Sequence, residues 1–121
     1  MEFRGWVGLS LAFALVPAAV GAAQDAPPAA PKNNPGRFFG VDQYPVEALR
    51  HHEQGRVVAM LIIDATGTPT HCTVTTSSGS ASLDVGTCNI ALTRVRFTPA
   101  RDDAGHAVAG TYSLSIRWVL P

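Results

Sequence analysis

At 121 residues the chain can hold one ordinary domain and little more. Nine Lys and Arg against nine Asp and Glu leave no basic field for nucleic acid and no acidic field for a cationic ligand. Its nine prolines gather toward the N-terminal half, which marks a tail or linker there rather than an even core.

The chain opens with Met1-Glu2-Phe3-Arg4 and an apolar run from Trp6 to Val20, rich in Leu and Ala and broken by Pro17. Gly21-Ala22-Ala23 then offers small residues for cleavage. This is the pattern of a secretory signal peptide over residues 1–23, and it predicts export to the periplasm. An amphipathic stripe, which a buried helix would need, is missing. The competing reading is an uncleaved anchor facing the periplasm: Gly5 to Ala23 just reaches the length a bilayer requires, but Pro17 and the alanine-rich end fit cleavage better. No cysteine follows the run, so a lipid anchor is not expected.

Residues 24–41 (Gln24 to Gly40 is QDAPPAAPKNNPGRFFG) read as a solvated, partly extended linker with a reach of about 50 Å. Phe38 and Phe39 are out of character there, either tucked against the domain edge or left as a sticky end. The folded part, residues 42–121, begins at Gln43-Tyr44-Pro45. Pro45 suits the first turn of a helix and Glu47 complements its positive end. That helix is expected to run to about His52, with Val46, Leu49 and His52 inward. His51-His52-Glu53 is a polar helix end rather than a metal cluster, because adjacent helical residues point about 100° apart.

Gly55 to Ser78 predicts a β-hairpin. Val57 to Ile63 is a continuous apolar run, which suits a strand covered on more than one side. Asp64-Ala65-Thr66-Gly67 supplies the turn, with Gly67 free to take a positive φ. Thr70, Cys72, Val74 and Thr76 then alternate with His71, Thr73 and Thr75. Ser77-Ser78-Gly79-Ser80 leads into a second helix capped by Ser80 or Ser82, with Asp84 in its first turn. Leu83, Cys88, Ala91, Leu92 and Val95 form its apolar set, and it should end near Arg94. Arg96 to Ala100 is extended, since Pro99 disfavours helix at Thr98. Arg101 to Gly110 is a polar loop. Thr111 to Leu120 is a last strand with Tyr112, Leu114, Ile116, Trp118 and Leu120 on one face and Ser113, Ser115 and Arg117 on the other.

Cys72 and Cys88 are the two cysteines of an exported chain, which predicts a disulfide between them. Closing a loop of about 15 residues could contribute about 3 kcal/mol. Zinc, with His71 beside Cys72, is the alternative, but neither CxxC nor HxxxH spacing occurs. The expected fold is α+β, a small two-layer domain of order helix–strand–strand–helix–strand with both helices on one face of an antiparallel sheet. Val57–Ile63 should be central and the half-polar last strand an exposed edge.

Together these pieces resemble the C-terminal domain of the TonB family of periplasmic energy transducers. The residues that carry the resemblance are Gln43-Tyr44-Pro45, Gly55-x-Val57, Asp64-x-x-Gly67, Ser77-Ser78-Gly79, Leu83-Asp84, Arg96-Phe97-x-Pro99-Ala100, Gly105 and Ile116-x-Trp118-x-Leu120. The resemblance implies a module that binds the TonB box, a short segment of a TonB-dependent outer-membrane receptor, as a strand added beside the last strand. The docking edge would be Thr111, Ser113, Ser115, Arg117 and Val119, with Gln43, Tyr44 and Pro45 near the receptor. Long-armed transducers of this family carry an extended Pro-rich arm and an anchor helix with Ser and His one turn apart. Here the linker is short, Ser10 is followed by Ala14, and the apolar run has no His, so a motor contact is not expected.

The alternative is a soluble exported interaction or scaffold domain without an energy-transducing role. An enzyme is not expected, since GxSxG, HExxH and a phosphate loop are all missing and Asp64 and Asp84 serve a turn and a cap. Neither cofactor nor metal is implied. An exposed edge also leaves a homodimer open.

Overall fold

The structure, a computed structural model, describes residues 26–121. The expected leader, residues 1–23, lies outside them. In chain order the elements are β1 (Ala30–Pro31), α1 (Val46–Arg50), β2 (Gly55–Ile63), β3 (Pro69–Thr76), α2 (Ala81–Arg94), β4 (Phe97–Thr98), β5 (Ala100–Arg101), β6 (Ala107–Val108) and β7 (Gly110–Trp118). Two 3-10 turns, Pro35–Phe38 and Val41–Gln43, precede α1. The long elements follow the order expected from the sequence, and β2 lies between β3 and β7 in an antiparallel sheet. The fold is mixed α+β.

The hairpin between β2 and β3 is set by its turn. The Asp64 carboxylate accepts from the N–H groups of Thr66 and Thr68 at 2.9 and 3.1 Å. With the Thr66 hydroxyl contributing most, these bonds hold Asp64 below the usual carboxylate range. Gly67 turns the chain at φ 89°, and a Cβ there would stand 2.0 Å from the Phe97 carbonyl oxygen. Only glycine allows both the positive φ and this approach, through which Phe97 N–H reaches Gly67 O at 2.9 Å.

Burial along β2 alternates. Val57, Ala59, Leu61 and Ile63 are fully buried, whereas Val58, Met60 and Ile62 are half-buried. The apolar run is therefore covered by helices on one face only, not on both. Its second face is partly shielded by cross-strand neighbours, with Thr73 and Ser113 flanking Met60 and His71 and Thr111 flanking Ile62.

α2 lies over β2 and β3. Ser80 caps it, accepting from Leu83 N–H at 3.2 Å. Asp84 accepts from the Ser77 hydroxyl and from the Ser78 N–H and hydroxyl. Burial opposes its ionisation, yet these bonds outweigh burial and hold its carboxyl below the usual range. The inward residues are Leu83, Thr87, Ala91 and, just past the helix, Val95. Cys88 is bonded to Cys72 of β3, with Cα atoms 5.7 Å apart, which ties helix to sheet as expected.

The first helix differs from the expectation. α1 ends at Arg50, and its inward residue is Ala48, fully buried, while Val46 and Leu49 are 64% and 45% exposed. His52 is also exposed, past the helix end in the left-handed region at φ 57°. A helix of five residues presents barely one position inward, and small Ala48 lets it sit close. Tyr44, just before it, supplies the bulk. His51 is exposed as well, and no group of three metal-ligating side chains occurs among the described residues.

The segment expected as a solvated linker is docked from Pro27 onward. Ala30 and Pro31 pair with Thr98 and Phe97, and Lys32 N–H reaches Arg96 O at 3.0 Å. Ala29 and Phe39 are buried, and Phe38 packs partly against the core. A proline-rich composition predicts extended backbone, and extended backbone is what a sheet edge accepts. The loop from Arg101 to Gly110 is also more ordered than a polar loop, with β5 and β6 paired across a turn in which Asp102 accepts from Ala104 and His106 N–H.

Candidate functional site

β7 pairs with β2 along one edge, in unbroken register from Gly55↔Trp118 to Ile63↔Gly110. On its other edge, Thr111 N–H donates to Pro27 O at 3.0 Å and Thr111 O accepts from Ala29 N–H at 2.9 Å. Both backbone groups of Thr111 therefore point away from β2. Backbone groups alternate sides along a strand, so those of Ser113, Ser115 and Arg117 point outward too. The side-chain bonds from Thr70 to Ile62 O and from Thr75 to Val58 O fit the same alternation, since even-numbered β2 residues then face β3. Among the described residues, nothing pairs with the outward groups of Ser113, Ser115 and Arg117. This open lane spans about 14 Å at ~3.4 Å per residue.

The lane is bounded at both ends. At Thr111 the Pro27–Ala29 segment runs parallel to β7 and occupies the edge. This approach requires Gly110, where a Cβ would stand 2.5 Å from the Pro27 carbonyl oxygen. Val119 lies one residue past β7, exposed, and Leu120 N–H is held by the Gln54 side chain at 2.9 Å.

Beneath the lane the strand is anchored by Trp118, 1% exposed. The rings of Phe39 and Tyr44 meet the Trp118 ring edge-on, with centroids 5.8 and 5.2 Å away. Its Nε1–H donates to Thr87 Oγ1 at 2.8 Å, and that hydroxyl donates in turn to Leu83 O at 2.7 Å. Thr87 was not among the residues singled out from sequence. Its position carries the helical period, four residues after Leu83 and four before Ala91, but a polar side chain is left out of a pattern read from apolar residues alone.

The other expected partner residues fall nearby. Tyr44 is a core residue whose hydroxyl donates to the Glu53 carbonyl oxygen; burial first, then the Glu53 charge, raises its pKa. Gln43 is half-buried and accepts from Arg94 at 2.9 Å. The Pro45 ring rests on Gly86, where a Cβ would stand 2.6 Å from its Cγ. Through Tyr44 the segment meets the Trp118 end of β7, so it lies at the end of the strand that holds Arg117 and Val119 rather than at Thr111, but on the helix-covered face, opposite the Arg117 side chain.

No helix among the described residues is long and apolar enough to cross a membrane. A search of curated proteins found no match. The family model described as the Gram-negative bacterial TonB protein C-terminal matches residues 41–120, from just before the Gln43–Pro45 segment to the end of the last strand. The chain belongs to this TonB C-terminal family, whose members are protein-interaction domains facing the periplasm.

Proposed function

We propose that this domain is a periplasmic receptor-docking module. It takes the TonB box of a TonB-dependent outer-membrane receptor as an added strand along Ser113, Ser115 and Arg117. The observation that carries this reading is the row of outward backbone groups on β7, next to Thr111, which already holds an extended segment in the same way. Val119 and the Gln43-Tyr44-Pro45 segment flank the far end of the docked strand. The chain is exported by residues 1–23, and residues 24–41 connect to the domain over 42–121.

The test is Ser115→Pro. Its N–H points outward, so proline removes no ladder bond and an edge strand tolerates it. The variant should keep a cooperative thermal transition and lose about tenfold or more in affinity for a synthetic TonB-box peptide, through the lost bond and the ring in the lane. A folded Ser115→Pro protein with unchanged affinity would overturn the proposal. Pairing of two copies through the same edge would show instead as a concentration-dependent dimer that the substitution dissolves.

A further inference from the structure

Thr111, Ser113, Ser115 and Arg117 all turn their backbone groups away from β2, yet only the last three are open. Thr111 gives both of its groups to the N-terminal segment: its N–H donates to Pro27 O and its carbonyl oxygen accepts from Ala29 N–H. Pro27 and Pro28 have no N–H, and the one donor of Ala29 goes to Thr111, so these residues offer an arriving strand no donor of their own. The segment is also held from its other side. Ala30 and Pro31 pair with Thr98 and Phe97 of β4, and Lys32 N–H reaches Arg96 O at 3.0 Å. Ala29, between the two attachments, is buried.

Resting on the strand-docking reading above, we infer that Pro27–Ala29 is a built-in stop: it ends the docked strand at Ser113 and so sets how many of its residues can pair. Magnitudes decide between a stop and a cover that yields. A strand that displaced the segment would gain the two backbone bonds of Thr111 and break the two already there, an exchange of like for like. It would also expose Ala29 and strain the pairing with β4, a loss that the exchange does not offset. Displacement is therefore unfavourable, and the docked chain turns away from the edge once past Ser113. Toward Arg117 the lane closes for a different reason, since β7 itself stops at Trp118. Between these limits there is room for about five extended residues, those alongside 113–117.

The experiment uses the exported chain and a synthetic TonB-box peptide lengthened by one alanine at a time at either end. Affinity is measured by titration, and the amide signals of Thr111, Ser113, Ser115 and Arg117 are followed by NMR. With the parent, alanines added beyond a paired length of about five residues should change affinity by less than about twofold. The Thr111 amide should neither shift nor lose its protection from hydrogen exchange. In Ala29→Pro the N–H that reaches Thr111 is gone and a ring stands in its place, so the Thr111 amide should exchange freely. Lengthening at one end only should then raise affinity about three- to tenfold and shift the Thr111 amide as well. A parent whose affinity keeps rising with length while Thr111 shifts would overturn the stop, because the segment would then be a cover that yields. So would an Ala29→Pro protein in which Thr111 stays protected, or one in which it exchanges freely and the length limit is unchanged. In each of those cases the amides of Ser113, Ser115 and Arg117 still shift, and strand docking stands without the stop. If no peptide moves those three amides, strand docking itself is wrong and the stop falls with it.

Discussion

Replacing Thr87 with Val tests the anchor beneath the docking strand. Thr87 is fully buried and its hydroxyl has two partners, Leu83 O and Trp118 Nε1. Valine keeps the branched shape and removes the oxygen. The Leu83 carbonyl loses little, because it keeps its helical N–H partner. The indole N–H loses its acceptor in a site that is 1% exposed, so it bears the desolvation cost of an unpaired buried donor, about 1–3 kcal/mol. Taking about 2 kcal/mol, and about 4–8 °C per kcal/mol for a domain of this size, the midpoint should fall by about 8–16 °C. Urea unfolding followed by far-ultraviolet circular dichroism gives the free energy without relying on Trp118 as the reporter. In a Trp118→Phe background no N–H needs an acceptor, so Thr87→Val should there cost less than about 0.5 kcal/mol. A Thr87→Val protein within about 0.5 kcal/mol of the parent, or additive costs in the double variant, would refute the reasoning.

Two further expectations follow from the same structure. Changing both Cys72 and Cys88 to Ser frees the loop between β3 and α2 and should cost about 3 kcal/mol, read as a lower urea midpoint; equal stability with the oxidised parent would show that the bond constrains little. Asp84 has a folded pKa below its ordinary 3.8, so its contribution is fully present above 3.8 and is lost as the pH falls through the lower folded value. The stability gap between parent and Asp84→Asn, measured by denaturation across that range, should therefore narrow in acid, and a gap independent of pH would contradict the carboxylate's role.

Much of the fold was legible in local chemistry. The Asp64–Gly67 turn, the Ser80 cap and the alternation from Tyr112 to Trp118 are decided by groups a few residues apart, and they appear where the pattern put them. Cys72 and Cys88 were readable as a pair for a different reason, since the sequence holds only these two cysteines behind a segment that reads as an export signal. The first helix misled because Val46 and Leu49 carry the right spacing. A single short turn has too few positions for spacing to say which face turns inward, and Ala48 took the core.

By itself, then, the chain determined the order of its elements, the turns and caps between them, and a last strand with one apolar and one polar face. Those features depend on backbone preferences and on side-chain period, both written in short stretches. Tertiary structure alone decided that Pro27–Ala29 occupies the edge at Thr111, that Thr87 holds Trp118, and that Arg56 meets Arg117. Each of these contacts joins residues at least 31 positions apart and depends on register across the assembled sheet or on packing of a helix over it, quantities that no local window contains.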